Sequence, residues 1–429
     1  MPELPTTRDS GPPVGVGPLD PGPPQTRRRI DSIDLLRGIV MVVMMLDHTR
    51  DFVHSGGFQF DPTDLTKTTT AIFLTRWITH YCAPIFVFLA GTGAYLQLAR
   101  GKRKSELSKF LLTRGLWLIV LELTVVRFGI FFSLDVRFFG FLQVIWVIGL
   151  SMIIMAALIH LPLKVIGIFG VGMIFLHNLL DRIQVQGWRG PGTPIPGTAA
   201  KLWIVLHQPF TIFPILPVMS PVVVVVYNLI PWVGVMAAGY AFGAVYRLDA
   251  ARRRRWLLAM GGAATVLFIV LRAVNIYGDP ARWSGQKNAV FTVLSFINTT
   301  KYPPSLLFLL MTLGPAMLLL ALFEVEVNVP GPLRKPLVTF GRVPLFFYFL
   351  QWYTAHLLAI LIGVLAGQPV SWQWESPVDK FTKPPLPGIG FPLWMVYLCW
   401  IVGVLLIYPL CKWFAGVKAR RRDWWLSYL

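Results

Sequence analysis

Charged residues are scarce in this chain. Asp, Glu, Lys and Arg together make up 14% of the 429 residues, whereas hydrophobic residues make up 55%. Soluble domains carry about 25% charged residues, so this composition argues against a soluble globular protein. Several apolar runs approach or exceed about 18 residues, the length that crosses the core of a bilayer. The composition therefore predicts an all-α fold, a polytopic bundle of membrane-spanning helices.

Cysteine is also scarce, and the patterns of several common sites are missing. The three cysteines, Cys82, Cys399 and Cys411, lie in apolar stretches and offer neither a disulfide framework nor a metal-binding spacing, so we expect no metal. The sequence contains no Walker A or GxGxxG pattern, so a nucleotide-like ligand would have to bind to scattered basic side chains. The net charge of +19 resides largely in short loops, which is typical of membrane topology, and we expect no nucleic-acid partner.

Ten apolar runs are predicted to span the membrane. They are Ile33–Val53, Ile78–Leu98, Phe110–Phe132, Phe141–Leu161, Leu163–Leu180, Val223–Tyr246, Trp256–Ile276, Leu306–Phe323, Leu345–Ala366 and Leu393–Phe414. Lys and Arg cluster before the first run and after the second, sixth, eighth and tenth, so both termini are predicted to be cytoplasmic. We expect one transmembrane domain over 30–416, between a disordered Pro/Gly-rich cytoplasmic tail at 1–29 and a basic cytoplasmic tail at 417–429.

The first span carries an unusual set of ionisable residues, which are costly in a membrane and usually face the bundle interior. Asp34 and Arg37 are three residues apart and can pair on one helix face. Arg37 and His48 return to nearly the same face, about 16 Å apart along the axis. An imidazole can act as a general base or carry an acyl group. Asp47 and Asp51 are candidates to orient His48, and Asp51 is the better placed because adjacent helical residues do not face each other.

A simpler interpretation of the stretch "DHTRD" is the polar end of the first span at the water interface, with its charges reaching outward. The span must extend to about 20 residues to cross the membrane. That length keeps Asp47 and His48 inside it, whereas Arg50 and Asp51 fit the interface.

Other polar residues in the spans favour structural roles. Glu122 and Arg127 in the third span are predicted to form an ion pair or to hydrogen-bond to a neighbouring helix. Tyr353 and His356 share a face of the ninth span, where a lone histidine typically links helices. The remaining histidines lie near span ends or in loops, and we expect them to be solvated: His54, His80, His160, His177 and His207.

The loop "LARGKRKSELSKFLLTRG" is strongly basic. It can act as a topology signal that attracts anionic lipid. It can also dock a multiply phosphorylated ligand such as coenzyme A, because arginine binds phosphate through two hydrogen bonds. The candidate ligand-binding residues in it are Arg100, Lys102, Arg103 and Arg114.

The segment "RRRIDSIDLLRGIVMVVMMLDHTRDF" resembles the first helix of the transmembrane acyltransferase superfamily, which includes heparan-α-glucosaminide N-acetyltransferase and the acyltransferase-3 family. Arg37 and His48 match the acyltransferase-3 signature of an arginine, ten residues and a histidine. The segments "APIFVFLAGTGAYL", "LIPWVGVMAAGYAFG" and "LVTFGRVPLFFYFLQWYTAHLLA" are similar to bacterial proteins with a heparan-α-glucosaminide N-acetyltransferase catalytic-like domain. The resemblance covers nearly all of 30–415. It departs at Gln351, where histidine is common in the relatives.

The resemblance implies a ten-helix enzyme of the bacterial cytoplasmic membrane. Such an enzyme takes an acetyl group from cytoplasmic acetyl-CoA and passes it to an amine or hydroxyl acceptor, such as a sugar, on the other side. His48, Asp47 and Arg37 are then the catalytic candidates, with His48 preferred to His54 because of its spacing from Arg37. The acceptor, the acyl group and the choice between monomer and homodimer stay open.

The main alternative is a proton-coupled transporter or exporter. In that case Asp34, Arg37, Asp47 and His48 would form a proton relay instead of a catalytic site. A lipid scramblase or assembly factor with purely structural histidines is a third reading.

Overall fold

The computed structural model describes residues 31–57, 59–190, 192–215, 221–324, 331–382, 388–421 and 423–428. The predicted tail at 1–29 lies outside these ranges. The helices in the described ranges are α1 Asp31–Val53, α2 Thr70–Thr79, α3 Cys82–Ala99, α4 Lys104–Leu121, α5 Arg127–Phe131, α6 Val144–Leu158, α7 Leu163–Leu176, α8 Thr198–His207, α9 Leu229–Phe242, α10 Ala250–Val274, α11 Ala289–Ile297, α12 Leu306–Phe323, α13 Gly331–Arg342, α14 Pro344–Leu365, α15 Pro377–Thr382 and α16 Leu393–Arg420. The strands are β1 Phe138–Leu142, β2 Thr211–Pro214 and β3 Val222–Val225.

Long apolar helices dominate the described part of the chain. Seven helical runs there are long and apolar enough to cross a membrane: Thr70–Ala99, Leu163–Leu180, Leu229–Arg247, Ala250–Val274, Leu306–Phe323, Pro344–Leu365 and Leu393–Arg420. Helices of this length satisfy their own backbone hydrogen bonds in lipid, which irregular chain cannot do. The prediction of a polytopic, all-α membrane protein is confirmed.

The other three predicted spans also fall on helices. The first is α1, which is 23 residues long and carries several charged side chains. The third is divided among α4, a π-helical turn over Glu122–Val126, and α5. The fourth is the 15-residue α6.

Two predicted span boundaries are wrong because their first residues belong to a small sheet. The fourth span was predicted from Phe141 and the sixth from Val223, but both residues lie in strands that pair in the order β1-β3-β2. β3 pairs in parallel with β1 and antiparallel with β2. A short apolar run rich in valine suits a buried strand as well as a helix, so hydropathy alone cannot separate the two.

Helix α1 lies inside the bundle. It packs against α2, α3, α12, α13, α14 and α16. In contrast, only 22% of the apolar stretch is buried in each of α7, α10 and α16, whose outer faces are therefore open to lipid. The helix with the most ionisable residues is thus kept away from lipid, as the cost of burying charge in hydrocarbon requires.

Candidate active site

A cavity of about 620 Å³ runs beside α1. Residues of α1, α3, α4, α6 and α14 form its walls, and most of the side chains in the lining are apolar. Its polar lining residues include Asp34, Arg37, Gln97, Arg100 and Arg114. A cavity of this size with few polar groups is typical of a site for a small organic ligand.

Arg37 contributes positive charge to the cavity wall. Its Nη2 donates to the carbonyl oxygen of Leu89 at 2.8 Å, and its Nη1 lies 3.9 Å from Oδ1 of Asp34. The predicted Asp34–Arg37 pair is therefore confirmed. The Arg37 side chain is still 22% exposed, so part of the guanidinium is accessible from the cavity.

Only some residues of the basic loop reach the basic rim of the cavity, the part of its lining that contains Arg100 and Arg114. Arg100 and Arg114 line the cavity, whereas Lys102 and Arg103 are not part of its lining. The Arg103 side chain is 79% exposed and pairs with Glu106 at 2.5 Å. The structure therefore brings two of the four predicted ligand-binding residues to the cavity and leaves Arg103 in solvent.

Lys102 lies next to the cavity without lining it. Its Nζ donates to Oε1 of Gln97 at 3.1 Å and lies 4.1 Å from the centre of the Phe110 ring. Gln97 and Phe110 both line the cavity. Lys102 thus adds positive charge just behind the rim.

The end of the chain packs against the same rim. Arg114 donates to the carbonyl oxygen of Ser427, and the hydroxyls of Thr113 and Tyr428 are 2.6 Å apart. The rings of Phe110 and Tyr428 have centres 5.7 Å apart. Sequence reasoning treated 417–429 only as a basic tail and missed this contact, which no local pattern signals.

His48 lies just beyond the deep end of the cavity. It does not line the cavity, but Met44, one helical turn earlier on α1, does. The imidazole is half-buried and stacks on Trp352, with ring centres 3.6 Å apart. Trp352 packs in turn on Tyr348, a lining residue, at 6.3 Å. His48 is therefore separated from the cavity by about one turn of α1 and by these two aromatic side chains.

The predicted pairing of Asp51 with His48 is wrong. Asp51 lies 2.5 Å from Nη2 of Arg50, and Asp47 lies 3.1 Å from the same nitrogen. Asp47 also pairs with Arg76 of α2. α1 stays helical through both aspartates, so their carboxylates lie within reach of the arginines and pair with them. Nδ1 of His48 has no hydrogen-bond partner among the described residues.

Several polar residues that the sequence analysis did not place near Asp47 lie around it. Arg76 comes from the helical run Thr70–Ala99, and Lys301, 9% exposed, lies in electrostatic range of both Asp47 and His48. His80, predicted to be solvated, is only 3% exposed. These groups meet because α2, α3 and the chain before α12 converge on α1, which periodicity along one helix cannot reveal.

Glu122 and Arg127 do not pair with each other. The Glu122 carboxylate accepts from the backbone N–H of Trp146 at 3.0 Å, near the start of α6, where a negative charge is favourable. Arg127 donates to the carbonyl oxygen of Phe138 at 2.8 Å. For Glu122 the alternative of a hydrogen bond to a neighbouring helix is confirmed, and the ion pair is wrong.

Two ninth-span residues act as links between helices, and a third has an unusual environment. The Tyr353 hydroxyl donates to the carbonyl oxygen of Val125 at 2.8 Å. Nδ1 of His356 lies 3.1 Å from the carbonyl oxygen of Gly129. Gln351 is fully buried, and neither atom of its amide has a hydrogen-bond partner in the described ranges. Its amide is therefore free to hydrogen-bond.

A family model described as "Heparan-alpha-glucosaminide N-acetyltransferase, catalytic" matches residues 29–277, more than half of the chain. The chain belongs to this family. The family is one of membrane acetyltransferases, so the chain is an integral membrane protein of the transferase class. No curated protein matches the chain.

The family match extends from α1 through α10. It therefore contains Arg37, Asp47, His48 and the whole basic rim of 100–114. Trp352 and Gln351, which lie on α14, fall outside it.

Proposed function

We propose that this protein transfers an acyl group, in the first place acetyl, from acetyl-CoA on the cytoplasmic side to an acceptor on the other side. The observation that carries the proposal is the cavity that joins Arg100 and Arg114, through Arg37, to Met44. Three arginines suit the phosphates of coenzyme A, since guanidinium groups bind phosphate oxygens strongly. The apolar walls suit the pantetheine arm, which carries the thioester toward His48.

In this proposal His48 handles the proton of the acceptor. The amine or hydroxyl attacks the thioester carbonyl and forms the new C–N or C–O bond, the C–S bond breaks, and coenzyme A leaves as the thiol. His48 takes the acceptor's proton and passes it to the thiolate. In a two-step variant an imidazole nitrogen first attacks the thioester carbonyl and forms a C–N bond, while the C–S bond breaks and coenzyme A leaves as the thiol with the imidazole proton. The acceptor's amine or hydroxyl then attacks the acyl-imidazole, whose C–N bond breaks, and the acceptor's proton returns to the imidazole.

In this proposal Asp47 has a structural role and takes no part in proton transfer. Its carboxylate is held between Arg50 and Arg76, so it is available to position α1 against α2 and not to orient His48. The acceptor is an amine or hydroxyl compound, with sugars as the first class to test. The membrane is the bacterial cytoplasmic membrane, with both termini in the cytoplasm.

The transporter alternative receives less support from these contacts. A proton relay needs groups that gain and lose protons near working pH, and arginine does not. Asp47 is paired with two arginines, and Asp34 lies beside Arg37 and 3.9 Å from Arg342.

The test uses the full chain purified in detergent. We expect it to bind acetyl-CoA by calorimetry and to acetylate an amino-sugar or sugar acceptor. His48→Ala should lower transfer by at least about a hundredfold, the usual contribution of a general base, while acetyl-CoA still binds.

His54→Ala is the matched control, since His54 follows α1 and accepts from the N–H of Gly56 at 2.9 Å. It should keep most of the activity. Failure to bind millimolar acetyl-CoA would contradict the acyltransferase proposal. Full activity of the His48 variant would instead contradict the choice of histidine.

A further inference from the structure

A second group of polar side chains lies outside the cavity, where α7 ends and α8 ends. His177 begins a short 3-10 helix directly after α7, Asp181 follows that helix, and His207 is the last residue of α8. One possible ligand atom from each of the three residues lies within 4.8 Å of the others. None of the three lines the cavity beside α1.

The carboxylate of Asp181 is already held in place. Its Oδ1 lies 3.0 Å from Nε2 of His207, and its Oδ2 accepts from the amide of Asn178 at 2.8 Å. Asn178 is itself fixed, because its Oδ1 accepts from the N–H of Leu306 at 2.9 Å. Outer hydrogen bonds of this kind orient the ligands in metal sites.

Unlike Asp181, the buried side chain of His177 is not held by hydrogen bonds within the described ranges. It is 2% exposed, and neither ring nitrogen has a hydrogen-bond partner in the part of the chain that the structure describes. A buried polar group without a partner costs free energy, so it needs a reason. The expectation that His177 and His207 are solvated is wrong, because both side chains are buried.

We propose that His177, Asp181 and His207 bind a divalent transition-metal ion, with Zn²⁺ as the first candidate. Imidazole and carboxylate donors suit Zn²⁺, whereas Mg²⁺ and Ca²⁺ prefer oxygen ligands alone. Tetrahedral ligands at about 2.0–2.2 Å from zinc lie about 3.3 Å from one another. The His207–Asp181 pair has nearly this separation, and small side-chain rotations would bring a nitrogen of His177 to it.

The ion would act as a structural link. The two histidines belong to elements about thirty residues apart in the chain, and the metal would tie the end of α7 to the end of α8. α8 also packs on the sheet, since Ile204 lies in a buried cluster with Leu142 of β1 and with Val223 and Val225 of β3. Three protein ligands leave a fourth position for water.

Metal content of the purified protein is the primary test. The full chain, isolated with a tag that contains no histidine, should hold about one zinc per molecule by mass spectrometry. His177→Ala and the more conservative His177→Gln should lose most of it. His160→Ala is the matched control, because His160 is exposed and lies between α6 and α7, and it should keep its metal.

Two further readouts guard against a variant that fails to fold. Protein freed of metal and reloaded with Co²⁺ should show the visible absorption of cobalt bound by nitrogen and oxygen. A chelator should lower the unfolding temperature of the wild type and His160→Ala, but not that of a folded His177→Gln. A folded wild type that holds no zinc and takes up no Co²⁺ would overturn the proposal, even if no variant folds.

Discussion

His48 and Asp47 are neighbours in the chain, but their surroundings differ. His48 packs on an aromatic ring beyond the end of the cavity, whereas Asp47 pairs with Arg50 and Arg76. The side chains that surround each residue, and not its type, decide its role. These contacts place Asp47 in the packing of α1 against α2, whereas the role of His48 in the chemistry is the one proposed above.

Asp47→Asn should destabilise the protein. The change leaves the Arg76 guanidinium, only 14% exposed, without its carboxylate, and removing one partner of a buried ion pair costs roughly 3–5 kcal/mol. We expect a lower unfolding temperature in detergent. Asp51→Asn is the control, since its side chain is 23% exposed and Arg50 keeps Asp47. Unchanged stability with lost activity would mean that Asp47 acts in the reaction.

The rim arginines should differ in their effect on ligand binding. Arg114→Ala and Arg100→Ala each remove a charge that lines the cavity. Each should weaken acetyl-CoA binding at least about tenfold, because a hydrogen bond to a charged group contributes about 1.5–3 kcal/mol. Arg103→Ala removes an equal charge that points into solvent and should change the dissociation constant little. Equal effects of all three variants would indicate a diffuse attraction instead of a built site.

At the scale of elements, the contact between α1 and α13 depends on two glycines. A Cβ at Gly38 would lie 1.8 Å from the carbonyl oxygen of Leu337, and one at Gly341 would lie 1.8 Å from that of Asp34. The two backbones therefore approach too closely for any side chain, as in other membrane helix pairs with small residues at the contact. This contact sets the position of the helix that carries Arg37 and His48.

Gly38→Ala should separate α1 from α13 and lower stability by roughly 1–3 kcal/mol, as overpacking does. Gly262→Ala is the matched control, because this glycine of α10 has nothing within 4 Å of an added Cβ. Alanine is the better helix former, so the control should be neutral or gain up to about 1 kcal/mol. Thermal unfolding in one detergent compares the two. Equal midpoints would contradict the close contact.

On the scale of the whole molecule, the charge pattern along the chain and the position of the basic rim indicate the same side of the membrane for the mouth of the cavity. The basic rim at the end of α3 and the start of α4 lies on the side that the Lys and Arg distribution predicts to be cytoplasmic. The cavity leads from that rim toward the middle of α1. Under the proposed function, acetyl-CoA would enter the cavity from the cytoplasmic side.

Cysteine labelling tests this orientation. The native cysteines are buried, so a single introduced cysteine gives the signal. Gly285→Cys, in the exposed chain between α10 and α11, should react with an impermeant maleimide from outside intact cells. Arg103→Cys should react only after permeabilisation. Labelling of both from the same side would contradict the predicted topology.

How far the sequence could predict the fold depends on whether the signal is local. Hydropathy indicated the helical bundle, and α12 begins and ends at the residues predicted for the eighth span. The strand at Val222–Val225 was read as the start of a span, because four valines look alike in a helix and in a strand. The Asp34–Arg37 pair was predictable from one turn of helix.

The sequence by itself determined the membrane class, the helical architecture and the register that puts Arg37 and His48 on one face of α1. Tertiary structure alone decided which side chains meet. It places Trp352 against His48, Arg76 against Asp47, and His207 near His177. Those partners are tens to hundreds of residues away in the chain. Hydropathy and helical period report only the few residues within one element, so contacts made by the packing of distant helices leave no trace in either.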